Sequence, residues 1–205
     1  NDHEGGLADM RRNIDAWWPL VEGLTSQGKV EAIVTNASGC GVAVKEYGHA
    51  LAHDPAYADK ARQVAALARD LSELLPDIAP ALKSRLGRRG LGPQVPRRLA
   101  YHPPCTLQHG QQLRGGVETH LATLGFEIER APSDSHLCCG SAGTYSVLQP
   151  ALATELRDRK LKSLEPVAAQ VIVSANIGCI QHLQSGTPTP VKHWVEVLDE
   201  ALVAG

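Results

Sequence analysis

The stretch QVIVSANIGC, Gln170 to Cys179, runs three β-branched apolar positions, Val171 to Val173, into a small-residue turn and a cysteine. It predicts a buried strand over Gln170–Ser174 whose carboxyl end hands Cys179 to a loop. An ungapped copy lies 139 residues earlier: in EAIVTNASGC, Glu31 to Cys40, Thr35 aligns with Ser174, Gly39 with Gly178 and Cys40 with Cys179. Each copy follows a basic helical stretch, MRRNIDAWW (10–18) in one case and LRDRKLKSL (156–164) in the other. Strand, turn and helix are therefore the repeating unit.

Working outward from the first copy, helices are expected at Leu7–Glu22, Val42–Leu51 and Tyr57–Leu75, with a strand at Lys29–Thr35. In the last of these helices Val64, Leu67, Leu71, Leu74 and Leu75 share one face at helical spacing. Residues 76–96 hold Pro76, Pro80, Pro93 and Pro96 together with KSRLGRRGLG (83–92), which predicts a connector and a domain seam. Around the second copy, strands are expected at Arg98–His102, Phe126–Arg130 and Val191–His193. Helices are expected at Gln112–Leu124, Leu148–Leu164 and Trp194–Val203. Such alternation predicts an α/β fold with a mostly parallel sheet and flanking helices. It is organised as two related cysteine-rich units, residues 1–90 with the linker and residues 91–205, the first of them truncated. The chain opens on Asn1 rather than Met, and the first 90 residues read as the second half of a domain whose first half is absent.

At 205 residues and 43% hydrophobic side chains, the chain is long enough for one large α/β domain or two smaller ones. A net charge of -2 argues against a nucleic-acid surface. No stretch reaches the roughly 18 to 20 apolar residues of a membrane span. Five cysteines are too few and too unevenly placed for a secreted disulfide framework and point to a reducing cytoplasm.

Those cysteines carry the chemistry. In HLCCGSAGTYS (136–146) the adjacent Cys138 and Cys139 run into Gly140, with Cys105 32 intervening residues before the pair and Cys179 39 after it. Cys105 follows RRLAYHPP, the pair follows FEIERAPSDSH, and Cys179 follows QVIVSANIG, so all four are expected beyond carboxyl strand ends on one rim of the sheet. Gly140, Gly143 and Gly178 would let backbone approach closely and aim amide N–H groups at sulfur. Iron and sulfide suit this array. Zinc, held by four thiolates or by three with His182, satisfies it equally in number, and metal-free redox thiols at Cys138-Cys139 are a third reading. Of nine histidines, His102, His136 and His182 stand within three residues of a candidate ligand and can hydrogen-bond cluster sulfur. The basic residues of LRDRKLKSL read as a solvated face. Neither G-x-G-x-x-G, G-x-x-x-x-G-K-[ST] nor G-x-S-x-G occurs, so nothing predicts substrate chemistry from this chain.

The set Cys105, Cys138-Cys139-Gly140 and Cys179 resembles the cysteine-rich CCG domain. That domain is found in heterodisulfide reductase subunits and in iron-sulfur subunits of flavin-linked 2-hydroxy-acid and glycerol-phosphate dehydrogenases. HPPCTLQHGQQLRGG (102–116), CCGSAGTYSVLQP (138–150), ANIGCIQHLQSG (175–186) and ASGCGVAVKEYGH (37–49) are most similar to the glycolate oxidase iron-sulfur subunits. The resemblance implies an iron-sulfur cluster, [4Fe-4S] or a noncubane variant, on Cys105, Cys138, Cys139 and Cys179. It also implies FAD confined to a partner subunit that oxidises glycolate, and a quinone-type acceptor, in the cytoplasm or at the inner face of the cytoplasmic membrane. The alternatives within it are a zinc- or cluster-stabilised assembly module and a heterodisulfide-reductase-like thiol redox subunit. The fullest CCG motif ends in C-x-x-C, whereas here the run is Cys179-Ile180-Gln181-His182; His182 can ligate, donate a hydrogen bond or pack.

Overall fold

A computed structural model describes residues 2–24, 28–87 and 90–204. They fall into two compact units that divide between Leu71 and Ser72.

The first unit opens on helix α1 (His3–Val21), capped by the Asp2 carboxylate, which accepts from the Gly5 N–H at 2.8 Å. Strand β1 (Ile33–Thr35), helix α2 (Ser38–Lys45), the short helix α3 (Tyr47–Ala50), helix α4 (Ala58–Leu67) and strand β2 (Ala68–Asp70) follow. β1 and β2 pair in parallel from Ile33–Ala68 to Thr35–Asp70. Ile14, Val44, Tyr47, Leu51, Ala61 and Val64 form the core between helices and sheet. Arg11 pairs with the Asp54 carboxylate at 2.8 Å and holds it below the ordinary carboxylate range, tying α1 to the α3–α4 loop.

The helix expected over Tyr57–Leu75 stops at Leu67. Ala68-Arg69-Asp70 is drawn into the ladder with β1, and a 3₁₀ turn, Leu71–Leu74, follows. Helical spacing of leucines continues through this segment, but three residues of parallel pairing override it. β1 is correspondingly shorter than the expected Lys29–Thr35, ending where its three-residue partner ends.

The second unit runs through α5 (Leu75–Leu86), β3 (Arg98–Tyr101), α6 (Gly116–Thr123), β4 (Glu127–Arg130), α7 (Tyr145–Leu148), α8 (Pro150–Leu164), β5 (Val171–Ser174), α9 (Ile177–Gln184), β6 (Val191–His193) and α10 (Trp194–Ala204). Its sheet has the order β4-β3-β5-β6 with every neighbouring pair parallel. β5 is buried along its whole length, as a central parallel strand covered on both faces must be, and its VIVS sequence has the required apolar run. The expected α/β fold with a mostly parallel sheet and flanking helices is what forms.

The units divide at 71/72, ahead of the 76–96 connector, because that connector is largely helix. Pro76 sits in the first turn of α5, where its missing N–H costs nothing, and Pro80 is accommodated further in. Leu75, Ala79 and Leu86 of α5 are buried, and the helix packs on α6 and α10 of the second unit. Of the basic run in KSRLGRRGLG, Arg88 and Arg89 lie outside the described residues.

The sequence repeat is also a structural one. β1–α2 and β5–α9 superpose in sequence register, with α2 (38–45) and α9 (177–184) of equal length and both cysteines third in their helices. Chain direction then fixes the position of any site. The loop leaving β3 runs to one side of the sheet, to β4, while the loop leaving β5 runs to the other, to β6. The crevice at their carboxyl ends is the topological switch point where open α/β sheets bind ligands.

Candidate metal centre

Three loops meet at that crevice. After β3 come His102, Pro103, Pro104 and Cys105, with a π-helical turn over Thr106–Gly110. The His102 N–H donates to the Val173 carbonyl at 2.8 Å, and the Ser174 hydroxyl donates to the His102 carbonyl at 2.9 Å, so this exit is bolted to β5. After β5, Asn176 caps α9 by accepting from the Gly178 N–H at 2.9 Å, which puts Cys179 in the positive first turn. After β4 comes the loop carrying Cys138 and Cys139.

The four sulfurs form one string. Cys105 neighbours Cys138 at hydrogen-bonding range, and Cys139, with a single proton to give, lies between Cys138 and Cys179. Cys138 is held down to about 2, first by Cys105 and then by Cys139, with the Gly140 N–H adding a bond to its Sγ at 3.3 Å. Cys179 is lowered to about 5 by the Cys139 thiol, the imidazole of His102 adding to the effect. Cys105 and Cys139 are pushed up, because each holds its proton between sulfurs and is partly desolvated. Two thiolates alternating with two thiols make a soft donor set; a metal entering it displaces two protons. All the cysteines are free of disulfides.

Gly140 lets the pair turn inward. Its φ is +89°, and a Cβ there would stand 2.3 Å from the Ala153 carbonyl oxygen in α8. Gly143, at φ +61°, has open space where its Cβ would be. Gly140→Ala is therefore expected to lower the thermal midpoint by about 4–10 °C, a positive-φ strain of about 1–3 kcal/mol plus the displacement of α8. Gly143→Ala carries the strain alone. A Gly140→Ala midpoint no lower than that of Gly143→Ala in calorimetry would show that the Ala153 carbonyl is not the constraint.

Two further side chains line the corner. His102 is fully buried, and no protein oxygen or nitrogen partners its ring nitrogens; the neighbour on which its imidazole acts is the Cys179 sulfur. Its ligand atom and the sulfurs of Cys139 and Cys179 all lie within 4.8 Å of one another. Leaving a buried polar group unsatisfied costs about 1–3 kcal/mol. Lys160, also fully buried, donates to the carbonyls of Asp134 at 3.2 Å and Ser135 at 2.9 Å, in the loop leading to Cys138. Burial pushes its ammonium below the ordinary lysine value, while the neighbouring sulfurs of Cys105, Cys139 and Cys138 and the Asp134 carboxylate oppose that shift. The sequence reading of LRDRKLKSL as a solvated face fails at this residue. The signal was present: Ala153, Lys160 and Leu164 share a helical face, and both of Lys160's companions are buried.

Cys105, Cys138, Cys139 and Cys179 come together as the strand ends required. His182 Nε2 bonds the Ala153 carbonyl at 3.0 Å and lies 3.1 Å from where a Gly140 Cβ would be. That placement spends the ring nitrogen on the wall of the turn. His136 is exposed, and Cys40 is exposed on the first unit.

The cysteine-rich domain model named CCG matches residues 99–184, the segment that contains all four sulfurs. Over 176 residues the chain is 30% identical to lactate utilization protein A of Geobacillus thermodenitrificans, covering 82% of the chain and 69% of that protein. The chain belongs to the cysteine-rich CCG family that includes that protein. Identity rises to 52% over 202 residues, 98% of the chain, with the glycolate oxidase iron-sulfur subunit of Escherichia coli. Of that CCG protein's length the chain spans about half, 46%. Lactate utilization protein A of Bacillus licheniformis is 28% identical over 178 residues, 82% of the chain and 70% of its own length. No helix among the described CCG residues is long and apolar enough to cross a membrane.

Proposed function

We propose that this chain holds an iron-sulfur cluster on Cys105, Cys138, Cys139 and Cys179 and carries electrons in a glycolate oxidase complex. The observation that carries the reading is the continuous string of four sulfurs, two of them thiolates, drawn from three loops to the switch point of a parallel sheet. The names of the relatives support it: one is the iron-sulfur subunit of glycolate oxidase.

When bound, the cluster supplies reversible one-electron transfer. The chain's own residues hold and tune it. Cys138 and Cys179 offer thiolates, Gly140 turns its amide to sulfur, and the wall of Ala100, Ile172, Ile180 and Leu183 keeps water from the inner side. A partner subunit carrying FAD would oxidise glycolate to glyoxylate and release two electrons and two protons. A cluster held by Cys105, Cys138, Cys139 and Cys179 would supply a one-electron carrier between that flavin and a quinone-type acceptor, which two electrons and two protons would reduce to its quinol. No substrate chemistry is assigned to this chain, which works in the cytoplasm or at the inner face of the cytoplasmic membrane. The first unit, with Cys40 in register with Cys179, is proposed as an incomplete copy of the CCG unit that follows.

A structural zinc site is the second reading. His102, Cys139 and Cys179 lie close enough to share one ion, as tetrahedral zinc prefers. Anaerobic reconstitution of the full chain with iron and sulfide, followed by metal and sulfide assay and EPR, separates the two. About four irons and four sulfides with a reversible signal are expected. Stoichiometric zinc without sulfide or signal, in folded protein, would replace the electron carrier with an assembly module.

A further inference from the structure

We propose that His102 is a metal ligand of this centre, its imidazole joining the sulfurs of Cys139 and Cys179 in the donor set. The inference rests on the reading of the corner as a metal centre and adds to it a nitrogen donor that the cysteine pattern does not announce.

Burial is the first ground. His102 has no exposed surface, and its ring faces the sulfur of Cys179, with no protein oxygen or nitrogen partnering either ring nitrogen. An imidazole kept there needs an acceptor of its lone pair or its proton, and the ligand-bearing side chains gathered around it are Cys139 and Cys179. Its backbone is fixed independently of the ring. The amide donates to Val173 and the carbonyl accepts from Ser174, so the side chain is aimed into the crevice between β3 and β5 by the sheet itself.

Distance is the second. Tetrahedral bonds of about 2.3 Å to sulfur and about 2.0 Å to nitrogen place ligand atoms about 3.5–4 Å apart. A mutual spread of no more than 4.8 Å closes to that with side-chain adjustment alone. The third ground is the lack of a competitor. His182 spends Nε2 on the Ala153 carbonyl, and His136 is exposed. The run Cys179-Ile180-Gln181-His182 has no second thiol, and His102 restores the donor count to five. A neutral imidazole in place of a thiolate makes the centre less negative by one charge and raises its potential.

The test uses the full chain labelled with ¹⁵N-histidine and loaded anaerobically with iron and sulfide, read by pulsed EPR of the reduced form. A nitrogen hyperfine coupling is expected that changes with the label, exceeds that of any hydrogen-bonded amide, survives in His182→Gln and vanishes in His102→Gln. Bound iron is assayed in every variant, so the coupling is read per reduced cluster. Should His102→Gln not fold, survival of the histidine coupling in His182→Gln, His136→Gln and His109→Gln carries the assignment. Iron and sulfide bound without a histidine coupling would overturn the ligand while leaving the electron carrier standing. Zinc without sulfide would overturn the electron carrier, and zinc-edge absorption then decides: imidazole scattering lost in His102→Gln supports the ligand, and its absence from the parent overturns it. A folded chain that binds neither metal overturns both.

Discussion

Cys139→Ser is expected to abolish cluster assembly, cutting bound iron and sulfide at least ten-fold after anaerobic reconstitution. Cys139 is the middle link of the sulfur string, bonded to Cys138 on one side and Cys179 on the other, and it is 1% exposed. Serine at this place offers a hard, weakly acidic hydroxyl where iron requires a thiolate. The substitution also removes the one sulfur common to the loops after β4 and β5. Cys40→Ser is the matched control: the same chemical change at an exposed position of the first unit is expected to leave bound iron unaltered. Equal iron in the two variants would remove Cys139 from the ligand set.

The second large effect is expected from Lys160→Met. Its ammonium is completely buried and bonded to two neutral carbonyls, with no carboxylate at ion-pair distance among the described residues. A buried cation without a paired anion is costly, and the negative charge that offsets it here comes from the sulfurs of the centre and from Asp134. Methionine keeps the bulk and removes the charge. At an effective dielectric of about 20, one unit charge roughly 10 Å from another contributes on the order of 1–2 kcal/mol, here to the reduced state. For a one-electron couple this lowers the potential by roughly 40–90 mV. Loss of the two hydrogen bonds to Asp134 and Ser135 loosens the loop before Cys138 and costs about 1–3 kcal/mol of stability. Redox titration monitored by EPR separates the two consequences. An unchanged potential in a variant that still binds iron would leave Lys160 as a brace for the loop and nothing more.

How much of this could be read from residues alone depended on the scale of the interaction. The convergence of Cys105, Cys138, Cys139 and Cys179 follows from strand ends in a parallel sheet, and strands announce themselves in runs such as VIVS and RLAY. The end of α4 did not announce itself. Ala68-Arg69-Asp70 has no strand propensity of its own and pairs because β1 lies beside it, a tertiary fact invisible in a local window. The same holds for α5, where Pro76 and Pro80 suggested a connector, yet one occupies a tolerated first-turn position and neither prevents Leu75, Ala79 and Leu86 from packing. His102 was legible as a neighbour of the centre by its spacing from Cys105. Its lack of an oxygen or nitrogen partner required coordinates. Lys160 was the reverse case, present on the apolar stripe of α8 and passed over because lysines in a basic run are usually solvated.

The pairing of β3 with β5 also sets the order in which the centre can be assembled. Leu99 stands opposite Val171, and the His102 amide opposite the Val173 carbonyl, across more than seventy residues of chain that include β4, α7 and α8. Closing so long a loop is slow compared with forming any helix of the unit. Until it closes, Cys105 and Cys179 belong to different parts of a polymer and have no common ion to bind. The four cysteines of the centre are therefore brought within reach of one another only by that long-range pairing, and an unfolded chain presents its five thiols separately.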